Sequence, residues 1–148
     1  MTGEATSRYS GSLSRHEARR RALEVLYEAD VLRRDITETL GRTIDDPHAA
    51  PLDDFARALV DGVAQRCEEI DGVIASHARG WSVSRMPVID RNILRLGVYE
   101  LLDAPDTPPA VVIDEAVELA KEMSTEDSPR YVNGVLSAVL ENRQRESS

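Results

Sequence analysis

From Ser14 onward the aliphatic residues of this chain return at intervals of three and four, and no segment alternates apolar and polar residues over the length of a strand. Such spacing stacks side chains on one face of a helix, so the fold class expected is all-α. The clearest case is PPAVVIDEAVELAKEMSTEDSPRYVNGVLSAVL, Pro108 to Leu140, which reads as two helices joined by a short acidic turn. Proline at the first helical position forfeits no helical hydrogen bond, so Pro108-Pro109 can open the first of the pair. Val112, Ile113, Ala116, Val117 and Ala120 then share one face, and Asp114, Glu115, Glu118, Lys121 and Glu122 the other. In the turn, Asp127 or Ser128 can cap the second helix. Its apolar face is Tyr131, Val132, Val135, Leu136, Val139 and Leu140. Asn133-Gly134 interrupts that run at a cost of ~1 kcal/mol for the glycine relative to alanine, which points to close packing there or to a function.

Earlier in the chain, Ser14 stands three residues before Glu17, the spacing of a capping box that starts a helix. Ala18, Ala22, Val25, Ala29 and Leu32 form its stripe, with Leu26 alongside. Arg15, His16, Arg19 and Arg20 fall along one flank near its beginning. One reading makes these arginines solvated charges, with Glu17 pairing Arg21 and Arg20 pairing Glu24. The other makes them a phosphate-binding edge, assisted by the amides of the helix start. Residues 33–51, with Gly41, Asp45, Asp46, Pro47 and Pro51, show little period and read as a loop, with ITETL a candidate short helix. From Leu52 to about Ala78 the apolar spacing predicts a long helix, or two that meet near Arg66 to Glu69. Trp81 follows Gly80 at a corner. Ile89, Ile93, Leu96, Gly97, Val98 and Leu101 then predict a strongly buried, central helix.

At 148 residues the chain suits one domain, expected over 14–143, with flexible tails at 1–13 and 144–148. The net charge of −9 argues against a protein that coats nucleic acid indiscriminately. Residues 1–21, however, hold five arginines against Glu4 and Glu17, a local balance of +3 that leaves −12 for the remainder. That asymmetry allows a local nucleic-acid site on an acidic body. The single cysteine, Cys67, excludes an internal disulfide and offers no zinc-ligand spacing. No apolar run reaches bilayer length and the N-terminus lacks a signal-peptide core, so a cytoplasmic location is expected.

Catalytic machinery is not expected. Asp114, Glu118 and Glu122 recur at helical spacing and could bind a divalent cation, but such a row is far more often a solvated face. His16, His48 and His77 are scattered, with no companions at metal-ligand spacing, and no cofactor or metal site is expected. Tyr131, beside the acidic turn, reads either as a half-buried anchor with its hydroxyl in water or as an aromatic that stacks on an unpaired base.

AVVIDEAVELAKEMSTEDSPRYVNGVL closely resembles the C-terminal signature of the NusB family of bacterial transcription antitermination factors. VIDRNILRLGVYELL, Val88 to Leu102, resembles the helix before it, and SRHEARRRALEVLYEAD, Ser14 to Asp30, the arginine-rich first helix. The resemblance implies about seven helices in two small antiparallel bundles. It implies binding to a short single-stranded element, boxA, in ribosomal RNA transcripts, together with the ribosomal small-subunit protein NusE, as part of the RNA polymerase antitermination complex. Carried over by position, it assigns RNA contacts to Arg15, His16, Arg19, Arg20, Asp127 and Tyr131, and a partner-facing surface to Tyr27 and Asp90. The rival expectation is a protein-interaction module or homodimer with little RNA binding of its own.

Overall fold

The structure is a computed structural model that describes residues 13–104 and 106–147. The tail expected over 1–13 therefore lies, Leu13 apart, outside the described residues. Among these residues there are seven α-helices, one 3-10 turn and no strand. The chain divides into two compact units, one ending at Gln65 and the other beginning at Arg66.

The first unit holds α1 (Arg15–Leu32), α2 (Ile36–Asp45) and α3 (Asp54–Gln65), each packed against the other two. Ser14 starts α1 as expected: its Oγ accepts from the Glu17 amide at 3.1 Å. Ala18, Ala22, Leu23, Val25, Leu26 and Ala29 are buried, whereas Leu32, placed in the apolar stripe by its spacing, is half exposed at the last turn. Residues 33–51 are not mainly loop. Asp35 accepts from the Glu38 amide at 3.1 Å, satisfying one orphan donor of α2, and a Glu38–Arg42 pair at 3.0 Å supports the exposed face. Leu40 and Thr39 supply the buried positions, and the Thr39 hydroxyl donates back to the Asp35 carbonyl at 2.9 Å. One apolar anchor and a good cap thus hold a helix that periodicity alone underrates. The buried Asp53 caps α3 by accepting from the Ala56 amide at 2.8 Å.

Arg66, with φ −122° and ψ 21°, separates α3 from α4 (Cys67–His77), so two helices stand where one long helix was the alternative. The second unit continues through a 3-10 turn (Val83–Arg85), α5 (Val88–Asp103), α6 (Pro109–Met123) and α7 (Ser128–Ser147). The central position expected for α5 is observed: it packs against α4, α6 and α7, with Ile93, Leu94, Leu96, Val98 and Leu101 buried. Arg95 reaches Asp71 of α4 through Nε at 2.8 Å and Nη2 at 2.9 Å, a forked pair that fixes the α4–α5 register. A Cβ on Gly97 would stand 2.7 Å from Leu136 Cδ1, so at this glycine the Leu136 side chain of α7 packs directly on the α5 backbone. Asn133-Gly134, by contrast, faces solvent with nothing near the glycine, and the close packing inferred there belongs to Gly97 instead. On α6 the buried set includes Leu119, while Val117 is only half-buried. Helix α7 runs to Ser147, past the tail boundary expected at 143, with Asn142 donating to Glu146 at 3.1 Å in its exposed last turns.

Candidate nucleic-acid interface

Within the first unit, packing of α1 on α3 brings Phe55, the second residue of α3, beneath the arginines at the start of α1. The Arg15 guanidinium lies 4.0 Å from the Phe55 ring centroid and that of Arg19 lies 5.2 Å from it. An aromatic face attracts cations through its quadrupole, and here one ring orders two. The outcome differs along the flank. Arg15 and Arg20 are exposed, His16 is half-buried, and Arg19 is only 4% exposed. Arg19, expected as an RNA contact, packs its guanidinium toward the Phe55 ring. Arg21, expected to pair with Glu17, instead meets Glu24 at 2.6 Å and donates to the carbonyls of Ala50 and Pro51 at 3.0 and 3.3 Å, fastening the segment before α3. Further along α1, Tyr27, Val31 and Leu32 are 39%, 49% and 50% exposed, an apolar strip at the position expected to face a partner.

Within the second unit, the turn between α6 and α7 is tied to α5 through Asp90. Ser128 donates to Asp90 Oδ2 at 2.8 Å and Ser124 donates to Oδ1, while Ser128 also lies 2.8 Å from the Thr125 hydroxyl. Asp90, expected on the partner-facing surface, is 2% exposed, and both of its carboxylate oxygens accept from hydroxyls of this turn. For the same reason Ser128 does not use its side chain as a helix cap. It is the backbone carbonyl of Asp127 that receives the Tyr131 amide, at 3.3 Å.

Beside this cluster lies a hollow of about 390 Å³ lined by Arg79, Gly80, Trp81, Asp90, Thr125, Asp127, Ser128 and Tyr131. Trp81 and Tyr131 rings stand 5.4 Å apart, tilted by 60°. Tyr131 is half-buried as expected, but its hydroxyl is not in water: it is buried, with no hydrogen-bond partner among the described residues. Burial, and secondarily the nearby Asp90 carboxylate, push the phenol above its ordinary value near 10, so it remains a donor at neutral pH. Gly80 has φ +85°, a left-handed corner that suits glycine and turns the chain into Trp81, which is 45% exposed. Asp127 is exposed at the rim.

Phe55, Trp81 and Arg79 had no functional reading in the sequence. Phe55 occupies a helical apolar position indistinguishable from core, and only the exposed tryptophan after a glycine corner carried a signal. On α6, Asp114, Glu118 and Glu122 are exposed and Glu118 pairs with Lys121 at 3.3 Å. Among the described residues no group of three or more His, Cys, Asp or Glu side chains converges on a metal position, and no helix is long and apolar enough to cross a membrane.

The NusB family model matches residues 16–141. The transcription antitermination protein NusB of Saccharopolyspora erythraea is 49% identical over 127 residues, covering 85% of this chain and 86% of that protein. The solved structure of NusB from T. maritima superposes with a TM-score of 0.77 at 31% identity, over 92% of this chain and 99% of that one. A crystal structure of antitermination factors NusB and NusE in complex with dsRNA matches with a TM-score of 0.74 at 34% identity, covering 86% of this chain and 96% of that one. Matched by the family model over residues 16–141 and by these proteins over most of its length, the chain belongs to the NusB family.

Proposed function

We propose that this protein is a noncatalytic RNA-binding factor of transcription antitermination. It acts in the cytoplasm, binding boxA RNA of ribosomal RNA transcripts together with ribosomal protein NusE and supporting read-through by RNA polymerase. The observation that carries the reading is the guanidinium of Arg15, exposed at a helix start and held over Phe55, where an ordered cation and helix amides offer phosphate a ready site. Arg20 and His16 extend that edge, and Arg19 keeps its geometry from below. Within the second unit, Asp127 and Tyr131 are assigned RNA contacts of their own. Exposed Trp81 beside Tyr131 favours single-stranded over duplex RNA, because stacking on a side chain requires an unpaired base. NusE is assigned to a surface that includes Tyr27, whose exposed apolar neighbours Val31 and Leu32 suit a protein partner.

The test is the double variant Arg15→Glu/Arg20→Glu, assayed by fluorescence anisotropy on a labelled boxA-like strand in the presence of NusE. Two charge reversals at exposed positions lower affinity by about 10- to 100-fold while leaving the helical circular dichroism unchanged. Unchanged affinity in a folded variant removes α1 from the RNA site. The second reading, a protein-interaction module or homodimer with little RNA binding, rests on the Tyr27–Leu32 strip and is favoured if NusE or self-association persists where RNA binding is absent.

A further inference from the structure

The C-terminal corner of α1 leaves both apolar surface and charge unused. Val31 and Leu32 stand half exposed in its last turn, with Tyr27 one turn earlier. Beyond Leu32 the chain turns through Arg33, whose φ of +55° is a left-handed value seldom taken by a residue with a Cβ, and the Arg34 amide folds back to donate to the Ala29 carbonyl at 2.8 Å. Arg34 is thereby returned to a hollow of about 330 Å³ between α1 and α2, which Glu28 also lines. Other charges of that hollow are engaged: Arg21 holds Glu24, Arg42 holds Glu38, and Asp46 accepts from the His48 amide at 2.8 Å. Glu28 and Arg34 are exposed and have no ion pair among the described residues, although they share the hollow. One free charge of each sign thus flanks the apolar pair Val31-Leu32.

We infer that this corner is a self-complementary contact at which two copies of the chain pair about a two-fold axis. A two-fold interface presents one patch twice, so each contact between two different residues is made a second time with the copies exchanged. With the axis beside Val31 and Leu32, the two α1 helices run antiparallel there, the apolar pairs meet, and each Glu28 faces the Arg34 of the other copy. Charge favours a second copy over a strongly acidic or basic partner. The free charges of the corner cancel, so two bodies of net charge −9, which repel at a distance, meet where the local charge is small. Arg15 lies at the opposite end of α1, about 24 Å away at 1.5 Å per residue, and stays open in the pair. Tyr27, Val31 and Leu32 are also the surface assigned to NusE, so self-association and NusE binding exclude each other. That competition rests on the function proposed above, whereas the self-contact does not.

A few half-exposed apolar side chains and exposed ion pairs make a small interface, so the full chain is expected to dimerise at roughly 10–100 μM, and sedimentation equilibrium from about 1 to 500 μM covers that range. Glu28→Arg sets arginine against Arg34 at both reciprocal positions and weakens the dimer by about 5- to 50-fold. It also exchanges a negative for a positive charge, taking −9 to −7, which would strengthen a contact limited by general repulsion; its weakening is therefore diagnostic. Arg34→Glu weakens the dimer as well. The double exchange Glu28→Arg/Arg34→Glu restores the wild-type constant, because a reciprocal pair survives reversal, and Val31→Asp abolishes the dimer with helical circular dichroism unchanged. A chain that stays monomeric to the top of the range, or a dimer indifferent to Val31→Asp and to both single exchanges, overturns the contact. Losses in the single variants that the double exchange does not repair overturn the Glu28–Arg34 pairing. Added NusE is expected to convert the dimer into a complex with one copy of each protein; a dimer that binds NusE and stays intact moves NusE to another surface and leaves the self-contact standing.

Discussion

Aromatic side chains are used in opposite ways in the two units. At the start of α1 the Phe55 ring sits under Arg15 and Arg19, ordering charge that points toward solvent. In the hollow beside α7 the Trp81 and Tyr131 rings pack on each other, 5.4 Å between centroids, and the tyrosine hydroxyl is buried near the Asp90 carboxylate. In the proposed function the first arrangement serves phosphate whatever the sequence, and the second, an aromatic-lined hollow, serves an unpaired base. A chain of net charge −9 has little long-range pull on RNA, so the proposed function calls on both.

The largest break in this comparison comes from the foundation of the hollow. Asp90→Ala removes the charged acceptor of Ser124 and Ser128 and leaves these hydroxyls only each other and Thr125 as partners; hydrogen bonds to a charged group contribute about 1.5–3 kcal/mol each. Urea unfolding is expected to show a loss of about 2–4 kcal/mol. The Arg15 edge, in the other unit, keeps its geometry.

Phe55→Ala tests the other side. Removing the ring takes away the support of both guanidiniums, worth about 0.5–1 kcal/mol at an exposed site and more where desolvated, as Arg19 is. RNA affinity falls by a few-fold although no phosphate contact has been deleted, and Phe55→Tyr restores it. An affinity that tracks only charge, with both variants equal to wild type, would make the ring incidental.

The smallest effect sharpens the hollow. Tyr131 has its pKa raised in the folded protein, so the neutral phenol favours the fold fully below the unfolded value near 10, and that contribution is lost as pH rises through the folded value. Thermal unfolding followed from pH 7 to 11 should show an alkaline decline that Tyr131→Phe reduces. At pH 7 the phenylalanine variant is as stable as wild type or slightly more so, since the unsatisfied hydroxyl is gone. A marked destabilisation at neutral pH would reveal a hydrogen bond and contradict an open donor.

Much of the fold was legible because it depends on local chemistry. The periodicity of 108–140 and of α5, the Ser14 cap and Pro109 at the first position of α6 are all properties of neighbours in sequence. What misled was long range. Gly134 and Gly97 are equivalent as letters, and only the approach of Leu136 distinguishes the tight one. Asp90 looks like any surface carboxylate of an amphipathic helix until Ser124 and Ser128, more than thirty residues away, are seen to donate to it. Likewise Arg15 and Arg19 are twins in the pattern, yet the packing of α3 buries one and leaves the other exposed. The Arg15 side of the site was thus readable from charge and capping, while the hollow required the tertiary structure.

The central claim is RNA binding assisted by a ribosomal partner, and anisotropy of a labelled single-stranded boxA RNA tests it most directly. The protein is titrated alone and then with NusE, against a scrambled strand and a duplex of the same length. Expected are weak binding alone, with a logarithmic salt slope of only about −2 to −3 for three or four phosphates, and tighter, sequence-dependent binding to the single strand with NusE present. Equal affinity for boxA and scrambled RNA, or no binding while NusE still associates, would contradict it.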